Sequence, residues 1–224
     1  MLPTSQMNFS NIKVIGFDLD QTLYPKSPLI DKAIQQYIYA KIAEHRNISL
    51  AEAQKLFTDL YQDGKGLSGR KTLIELDIPN AESIVQEALE NADIAEFLIP
   101  DLEVIDILRR LKDRYDNLDL ITGSVEKIMQ NKLAKLTIPF NLFDHIISGE
   151  IAKSDGSAYR EWLKYYPNLK PEQFLYIGDR EKTDYWVPKE LGIQCLLVNI
   201  AAINADLQCL QLPTLLDLRK YLLA

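Results

Sequence analysis

The sequence has little of the chemistry on which several common protein classes depend. It contains only two cysteines and two histidines. Two cysteines cannot build the disulfide framework of a small secreted domain, and His45 and His145 show no metal-binding pattern. No run of about 18 apolar residues could cross a membrane, and no signal-peptide pattern is visible over 1–10. We therefore expect a cytoplasmic protein.

Positive charge is also scarce. The 224 residues include 25 Lys and Arg against 32 Asp and Glu, which gives a net charge of −7. Non-specific binding to nucleic acids and to anionic membranes depends on clustered basic residues, and the chain contains no long run of like charges. We therefore expect neither a nucleic acid nor a membrane as a partner.

Short apolar runs alternate with helical periodicity along most of the chain. The runs predict strands over 12–17, 118–122, 145–147, 174–177 and 194–198. Apolar strands separated by helices are typical of a parallel sheet that is covered by helices on both faces. The sequence therefore predicts an α/β fold, a doubly wound, Rossmann-like parallel sheet.

This alternation is interrupted after the first strand, where the pattern becomes helical. Isoleucines recur every four residues at 30, 34, 38 and 42, as on one face of a helix. The segment from Ser49 to Glu52 is a capping-box sequence that opens the next helix. We expect a small helical cap domain at 27–96, inserted into an α/β core domain formed by 1–26 and 97–224.

Polar residues follow the predicted strands, and the carboxyl ends of parallel strands meet at one edge of a sheet, where ligands bind. These residues are Asp18, Asp20, Thr122, Gly123, Lys153, Asp179 and Asp184. Clustered carboxylates raise one another's pKa unless a cation neutralises them, and an all-oxygen donor set suits Mg²⁺. A lysine and backbone amides can bind the remaining oxygens of a phosphoryl group. The residues at this edge of the sheet therefore predict magnesium-assisted phosphoryl transfer.

Each of these features has a structural alternative when it is taken alone. The segment from Asp18 to Thr22 could be a surface turn, Thr122 could cap the following helix, and Lys153 could be a solvated loop lysine. Their succession at the ends of consecutive strands favours the functional interpretation.

In chain order, these residues resemble the four motifs of the haloacid dehalogenase-like (HAD) hydrolase superfamily, whose members are mainly phosphatases and related phosphotransferases. The segment Asp18-Leu19-Asp20-Gln21-Thr22 resembles the first motif, and Thr122 resembles the second. Lys153 resembles the third motif, and the segment from Gly178 to Asp184 resembles the fourth. The long interval between the first two motifs fits a helical cap at that place.

The resemblance implies different roles for three aspartates. Asp18 is expected to be the nucleophile that forms an aspartyl-phosphate, and also a ligand of Mg²⁺. Asp20 is expected to protonate the leaving group and then deprotonate the hydrolytic water, with its backbone carbonyl as a metal ligand. Asp179 is expected to bind the metal. Dehalogenases and phosphonate-cleaving members generally lack an acid at the position of Asp20, so its presence favours phosphate esters, whose alkoxide leaving group needs a proton.

The resemblance also implies residues that bind and support. Thr122 and the amide of Gly123 are expected to bind phosphoryl oxygens, and Lys153 is expected to contact both the nucleophile and the transferring group. Asp184 is expected to brace the site, and Thr22 is expected to fix the loop after the nucleophile.

The substrate is left open by two further resemblances. Thr22–Pro25 resembles a branch that includes pyrimidine nucleoside monophosphatases, whereas Gly66–Arg70 resembles the specificity loop of sugar-phosphate phosphatases and phosphomutases. Arg70 is a candidate for binding the distal group of the substrate, with an ordinary surface cation as the alternative. We expect a phosphoric monoester hydrolase, monomeric or homodimeric, acting on a small phosphorylated metabolite such as a sugar phosphate or a nucleoside monophosphate. A phosphomutase and a catalytically idle regulatory protein of the same fold are the alternatives.

Overall fold

The chain forms two compact units. A computed structural model describes residues 9–61, 64 and 66–223. Of these, the residues up to Pro25 and from Leu98 onward form the first unit, and those from Lys26 to Phe97 form the second. Each observed boundary differs by one residue from the boundary that the sequence suggests.

The first unit is built on a parallel six-stranded sheet with helices on both sides. The strands are β1 (Val14–Phe17), β2 (Asn117–Ile121), β3 (Ile146–Ile147), β4 (Phe174–Gly178), β5 (Gln194–Leu197) and β6 (Leu210–Gln211). Their spatial order is β3-β2-β1-β4-β5-β6, with parallel pairing throughout. The chain proceeds in one direction from β1 through β3 and in the other from β4, so the topological switch point lies between β1 and β4. The predicted fold class is confirmed.

The second unit is helical over the residues that the structure describes, apart from one isolated bridge between Tyr61 and Leu67. Its helices are α1 (Pro28–Arg46), α2 (Leu50–Thr58), α3 (Gly69–Glu75) and α4 (Ala81–Asn91). The isoleucine stripe of α1 is buried at all four positions, because residues four apart lie on one face of a helix. At the start of α2, Ser49 and Glu52 form both hydrogen bonds of the predicted capping box.

The first helix of the first unit precedes β2, and each of the other helices of that unit follows a strand. These helices are α5 (Leu102–Arg114), α6 (Glu126–Lys135), α7 (Ser157–Lys164), α8 (Val187–Glu190) and α9 (Arg219–Leu222), and a six-residue π-helix, Glu181–Trp186, precedes α8. The amphipathic α5 buries Val104, Leu108 and Leu111. Among the described residues, no helix is long and apolar enough to cross a membrane.

A buried carboxylate connects β2 to α7. Asp119 Oδ2 accepts hydrogen bonds from Trp162 Nε1 and from the hydroxyl of Tyr166, each at 2.7 Å, and Oδ1 accepts one from the backbone N–H of His145 at 2.9 Å. Burial raises the pKa of Asp119, although these donors partly oppose the shift. On the neighbouring strand β1, a Cβ at Gly16 would lie 2.7 Å from the Trp162 ring. The glycine therefore provides the space that Trp162 occupies.

Candidate active site

The loop after β1 is fixed so that two aspartates are buried beside the sheet edge. Asp18 is 1% exposed and Asp20 is 2% exposed. The chain turns at Gln21, which has a φ of 61°. The Thr22 hydroxyl donates to Asp18 Oδ2 at 3.2 Å, and the Asn199 amide donates to the carbonyls of Gln21 and Thr22 at 2.8 and 3.0 Å. Thr22 thus contacts Asp18 within this loop, and Asn199 connects the same loop to the segment after β5.

Lys153 lies between two of the carboxylates. It follows β3, and its Nζ is 2.7 Å from Asp18 Oδ1 and 2.8 Å from Asp184 Oδ1. Burial alone would lower the pKa of Lys153, but the two aspartates outweigh burial and raise it. The ammonium group therefore stays protonated beside Asp18.

The two aspartates that contact Lys153 differ in acidity. Burial raises the pKa of Asp18, and the pull of Lys153 offsets only part of that shift. Burial also acts on Asp184, but Lys153 and Arg180 outweigh it and lower the pKa of that carboxyl. Asp184 Oδ2 further accepts hydrogen bonds from the backbone N–H groups of Asp179 and Arg180, at 3.1 and 2.9 Å. Asp184 is therefore the more firmly ionised of the two.

Three carboxylates could hold a metal ion. Asp18, Asp179 and Asp184 each offer one oxygen, and these atoms all lie within 4.8 Å of one another. Oxygen donors of this kind fit Mg²⁺, a hard cation that prefers carboxylates and waters. A Cβ at Gly178 would lie 2.4 Å from the Cβ of Asp184, so the glycine that ends β4 allows this close approach. The structure thus places Asp184 among the possible donors, whereas the sequence suggested only a bracing role.

The residues after β2 form the next part of the site. The N–H of Thr122 donates to the carbonyl of Ile147 at 2.9 Å, and its Oγ1 accepts from the N–H of Ser124 at 3.0 Å. Helix α6 begins at Glu126 with Val125 as its N-cap, so Thr122 does not cap that helix. A Cβ at Gly149 would lie 2.0 Å from the Gly123 carbonyl oxygen, which explains how two loops can pack closely here.

Three residues around Asp20 were not predicted from the sequence. Asp20 Oδ1 accepts from the Tyr24 hydroxyl and from Lys132 Nζ, both at 2.6 Å, and Oδ2 accepts from Ser124 Oγ at 2.6 Å. Burial and the carboxylate of Asp20 raise the pKa of Tyr24 well above its ordinary value, so the phenol remains a donor. A signal for Lys132 was present, because it lies at helical spacing from the apolar residues Met129 and Leu133 of α6 and from Leu136 directly after the helix.

The structure gathers most of the predicted site residues in the first unit. Contacts join Asp18, Thr22, Lys153, Asp184 and Asp179 in one group. Ser124 joins Asp20 to Thr122 in a second group, and Gly123 lies between Thr122 and Ser124 in the loop after β2. Arg70 belongs to the second unit, on α3, where its side chain is 57% exposed and its Nε is 3.8 Å from Glu82 Oε2. Its predicted contact with a substrate stays a prediction.

Comparison with known proteins gives the class of this chain. Residues 12–192 match the haloacid dehalogenase-like hydrolase family. The chain therefore belongs to that family, and the predictions of the family and of a hydrolase are confirmed.

Individual relatives narrow the comparison. The chain is 30% identical to a glyceraldehyde 3-phosphate phosphatase of Methanocaldococcus jannaschii over 192 residues, which cover 81% of this chain and 82% of that protein. Its fold is similar to that of a HAD phosphatase from Thermococcus onnurineus, with a TM-score of 0.62, 20% identity and coverage of 93% and 97%. It is also similar to a 2-haloacid dehalogenase from Pseudomonas syringae, with a TM-score of 0.56, 19% identity and coverage of 95% and 98%. The same fold thus occurs in a phosphatase and in a dehalogenase, so the reaction must be argued from the site.

Proposed function

We propose that this protein is a magnesium-dependent phosphatase that hydrolyses a small phosphate monoester through an aspartyl-phosphate on Asp18. One observation carries the proposal. A buried aspartate that contacts a protonated lysine shares its site with two more carboxylates and with a second buried aspartate two residues along the chain. A phosphoryl group needs this combination of a nucleophile, positive charge and a proton donor.

The first half of the reaction uses Asp18 and Asp20. A carboxylate oxygen of Asp18 attacks phosphorus, and the bond between phosphorus and the leaving oxygen breaks. Asp20 gives its proton to that oxygen, so the product departs as a neutral alcohol. Lys153, at 2.7 Å from Asp18 Oδ1, neutralises charge on the nucleophile and on the transferring group. Thr122 and the amide of Gly123 bind phosphoryl oxygens.

The second half regenerates the enzyme. Asp20 accepts a proton from a water molecule as that water attacks phosphorus. The bond between phosphorus and the Asp18 oxygen breaks, which releases inorganic phosphate and restores the carboxylate. Asp20 thereby regains the proton that the next turnover requires.

The metal would be held by carboxylates of the cluster described above. Asp18 and Asp179 are the proposed side-chain ligands, with the backbone carbonyl of Asp20, and Asp184 offers a further oxygen nearby. When bound, Mg²⁺ supplies positive charge that offsets repulsion between the carboxylates and the phosphoryl group.

We predict that phosphatase activity requires magnesium. Removal of the metal with EDTA should abolish hydrolysis, because the carboxylates would otherwise repel one another and the anionic substrate. The measurement is phosphate release before chelation, after chelation and after Mg²⁺ is added back. Full activity in the chelated, metal-free preparation would contradict the proposal.

The substrate class is proposed from the relatives. The relative from Methanocaldococcus jannaschii is named a glyceraldehyde 3-phosphate phosphatase, so we place sugar phosphates ahead of nucleoside monophosphates. A panel of both classes, assayed with Mg²⁺, would rank them by kcat/KM. A requirement for a sugar bisphosphate primer in that panel would indicate a phosphomutase instead. We also propose that the enzyme is cytoplasmic, is a monomer or a homodimer, and acts on a small phosphorylated metabolite.

Arg70 is proposed to bind the distal part of the substrate. Arg70→Ala should raise KM for the best panel substrate more than it lowers kcat for a small generic ester, because distal binding is separate from the chemistry. Steady-state kinetics of both esters measure this effect. Lys55→Ala, an exposed change elsewhere in the second unit, is the control. Kinetics of Arg70→Ala that equal those of the control for every ester would leave Arg70 as a surface cation.

A further inference from the structure

The first unit contains a second buried lysine besides Lys153. Lys132 lies on the core-facing side of α6 and is 1% exposed. Its Nζ is 2.6 Å from Asp20 Oδ1 and 2.9 Å from Ser124 Oγ. A buried ammonium group is stable only when it is paired and hydrogen-bonded, and Asp20 supplies that pairing. Asp18 and Asp20 therefore each have a buried lysine beside them.

The contacts of Asp20 define the orientation of its carboxylate. Two donors, Tyr24 and Lys132, reach Oδ1, and one donor, Ser124, reaches Oδ2. The three donors come from the loop after β1, from α6 and from the loop after β2. Donors that converge from three segments restrict rotation of the side chain, because any other rotamer would leave buried polar groups unsatisfied.

Lys132 differs from the other two donors to Asp20 in its charge. The hydroxyls of Tyr24 and Ser124 are neutral and can either donate or accept, whereas the ammonium of Lys132 carries a full charge and can only donate. A charge-assisted hydrogen bond is about twice as strong as a neutral one. Lys132 therefore holds Oδ1 in place, while the Ser124 hydroxyl can turn to suit Oδ2 with or without a proton.

We propose that Lys132 is a positioning residue for Asp20, holding its carboxylate in the orientation from which it handles the proton of the leaving group. This assignment rests on the proposed phosphatase function. Lys132 acts through Asp20 and does not touch the substrate. A general acid must lie within hydrogen-bond reach of its target, and a displacement of about 1 Å can lower a rate by about 10²-fold.

Lys132→Met tests the assignment, because it removes the charge and keeps a side chain of similar length. The kcat/KM for the best alkyl phosphate of the panel should fall by about 10²-fold. The kcat/KM for p-nitrophenyl phosphate, whose leaving group needs little protonation, should fall much less. Lys132→Arg, which keeps the charge, should recover part of the loss. The control is Lys135→Met, an exposed change on the same helix, and it should leave both rates unchanged.

A double variant separates positioning from a general effect on the fold. Asp20→Asn/Lys132→Met removes both charges of the buried Asp20–Lys132 pair. The test therefore remains possible even if Lys132→Met alone does not fold. If Lys132 acts through Asp20, the double variant should show the same ratio of alkyl to aryl rates as Asp20→Asn. A further fall in that ratio would overturn the assignment.

The remaining outcomes also decide between the proposals. If the wild-type protein is active and the Lys132→Met variant folds, an unchanged ratio of alkyl to aryl rates in that variant would overturn the role of Lys132 alone. Absence of magnesium-dependent hydrolysis in the wild-type protein would overturn the proposed function and this assignment with it.

Discussion

Replacing Asp18 with asparagine should abolish turnover and leave no phosphoenzyme. The amide of asparagine cannot attack phosphorus as the carboxylate does, and removal of a covalent nucleophile lowers kcat by on the order of 10⁶-fold. The measurements are phosphate release and mass spectrometry of enzyme quenched during turnover, where the wild-type protein should show the added mass of a phosphoryl group.

The structure indicates that this variant will fold. Lys153 keeps Asp184 as a partner at 2.8 Å when Asp18 is neutral, so no buried lysine is left without a carboxylate. Asp113→Asn, which changes an exposed carboxylate on α5, is the matched control and should retain full activity. Trapping of a phosphoryl group on the Asp18→Asn protein would mean that the nucleophile lies elsewhere.

Replacing Asp20 with asparagine should lower the rate of hydrolysis by a factor that depends on the leaving group of the substrate. A positioned general acid contributes about 10²–10⁴-fold to the rate, and that contribution is needed most when a basic alkoxide departs. Alkyl phosphates should therefore lose about that factor, whereas p-nitrophenyl phosphate should retain proportionally more activity. Because the same residue activates water, the aspartyl-phosphate on Asp18 should also accumulate and become easier to trap.

The Asp20→Asn variant needs a stability control. Asp20 and Lys132 form a buried ion pair at 2.6 Å, and removing one partner of such a pair lowers the free energy of unfolding by about 3–5 kcal/mol. Thermal unfolding should accordingly be measured first, with kinetics recorded well below the transition. An equal loss for alkyl and aryl esters in folded protein, before the intermediate forms, would contradict the assignment of Asp20 as the acid.

The local sequence pattern was sufficient to predict the strands that position the site residues. Strands β1 and β4 are continuous apolar runs that are buried throughout, and β2 and β5 are mostly apolar and buried beyond their first residue. Such runs can be recognised without a partner. The polar residues that follow them must meet at one edge, because parallel strands all end on the same side. The family and the α/β fold followed from that order.

Other elements show no local sequence pattern from which they could be predicted. Strand β6 spans two residues, Leu210–Gln211, and α9 spans four, Arg219–Leu222. A segment this short shows no periodicity, and it is stabilised by pairing or packing with distant residues. The π-helix before α8 was also not predicted, because its residues are held by contacts with other segments: Tyr185 packs with Cys195 and Leu197 of β5, and Asp184 accepts a hydrogen bond from the N–H of Asp179.

The sequence by itself determined the family, the sheet and the chain order of the aspartates, threonine and lysine at its edge. Only the tertiary structure decided which of these groups touch. Asp184 joins Asp18 and Asp179 in one cluster, and Lys132 reaches Asp20 across 112 positions of the chain. The physical reason is that residue type and spacing set local conformation, whereas ion pairs between distant segments depend on how α6, β1 and β4 pack. A buried lysine on an apolar helical stripe indicates that a partner exists, and the fold alone identifies that partner as Asp20.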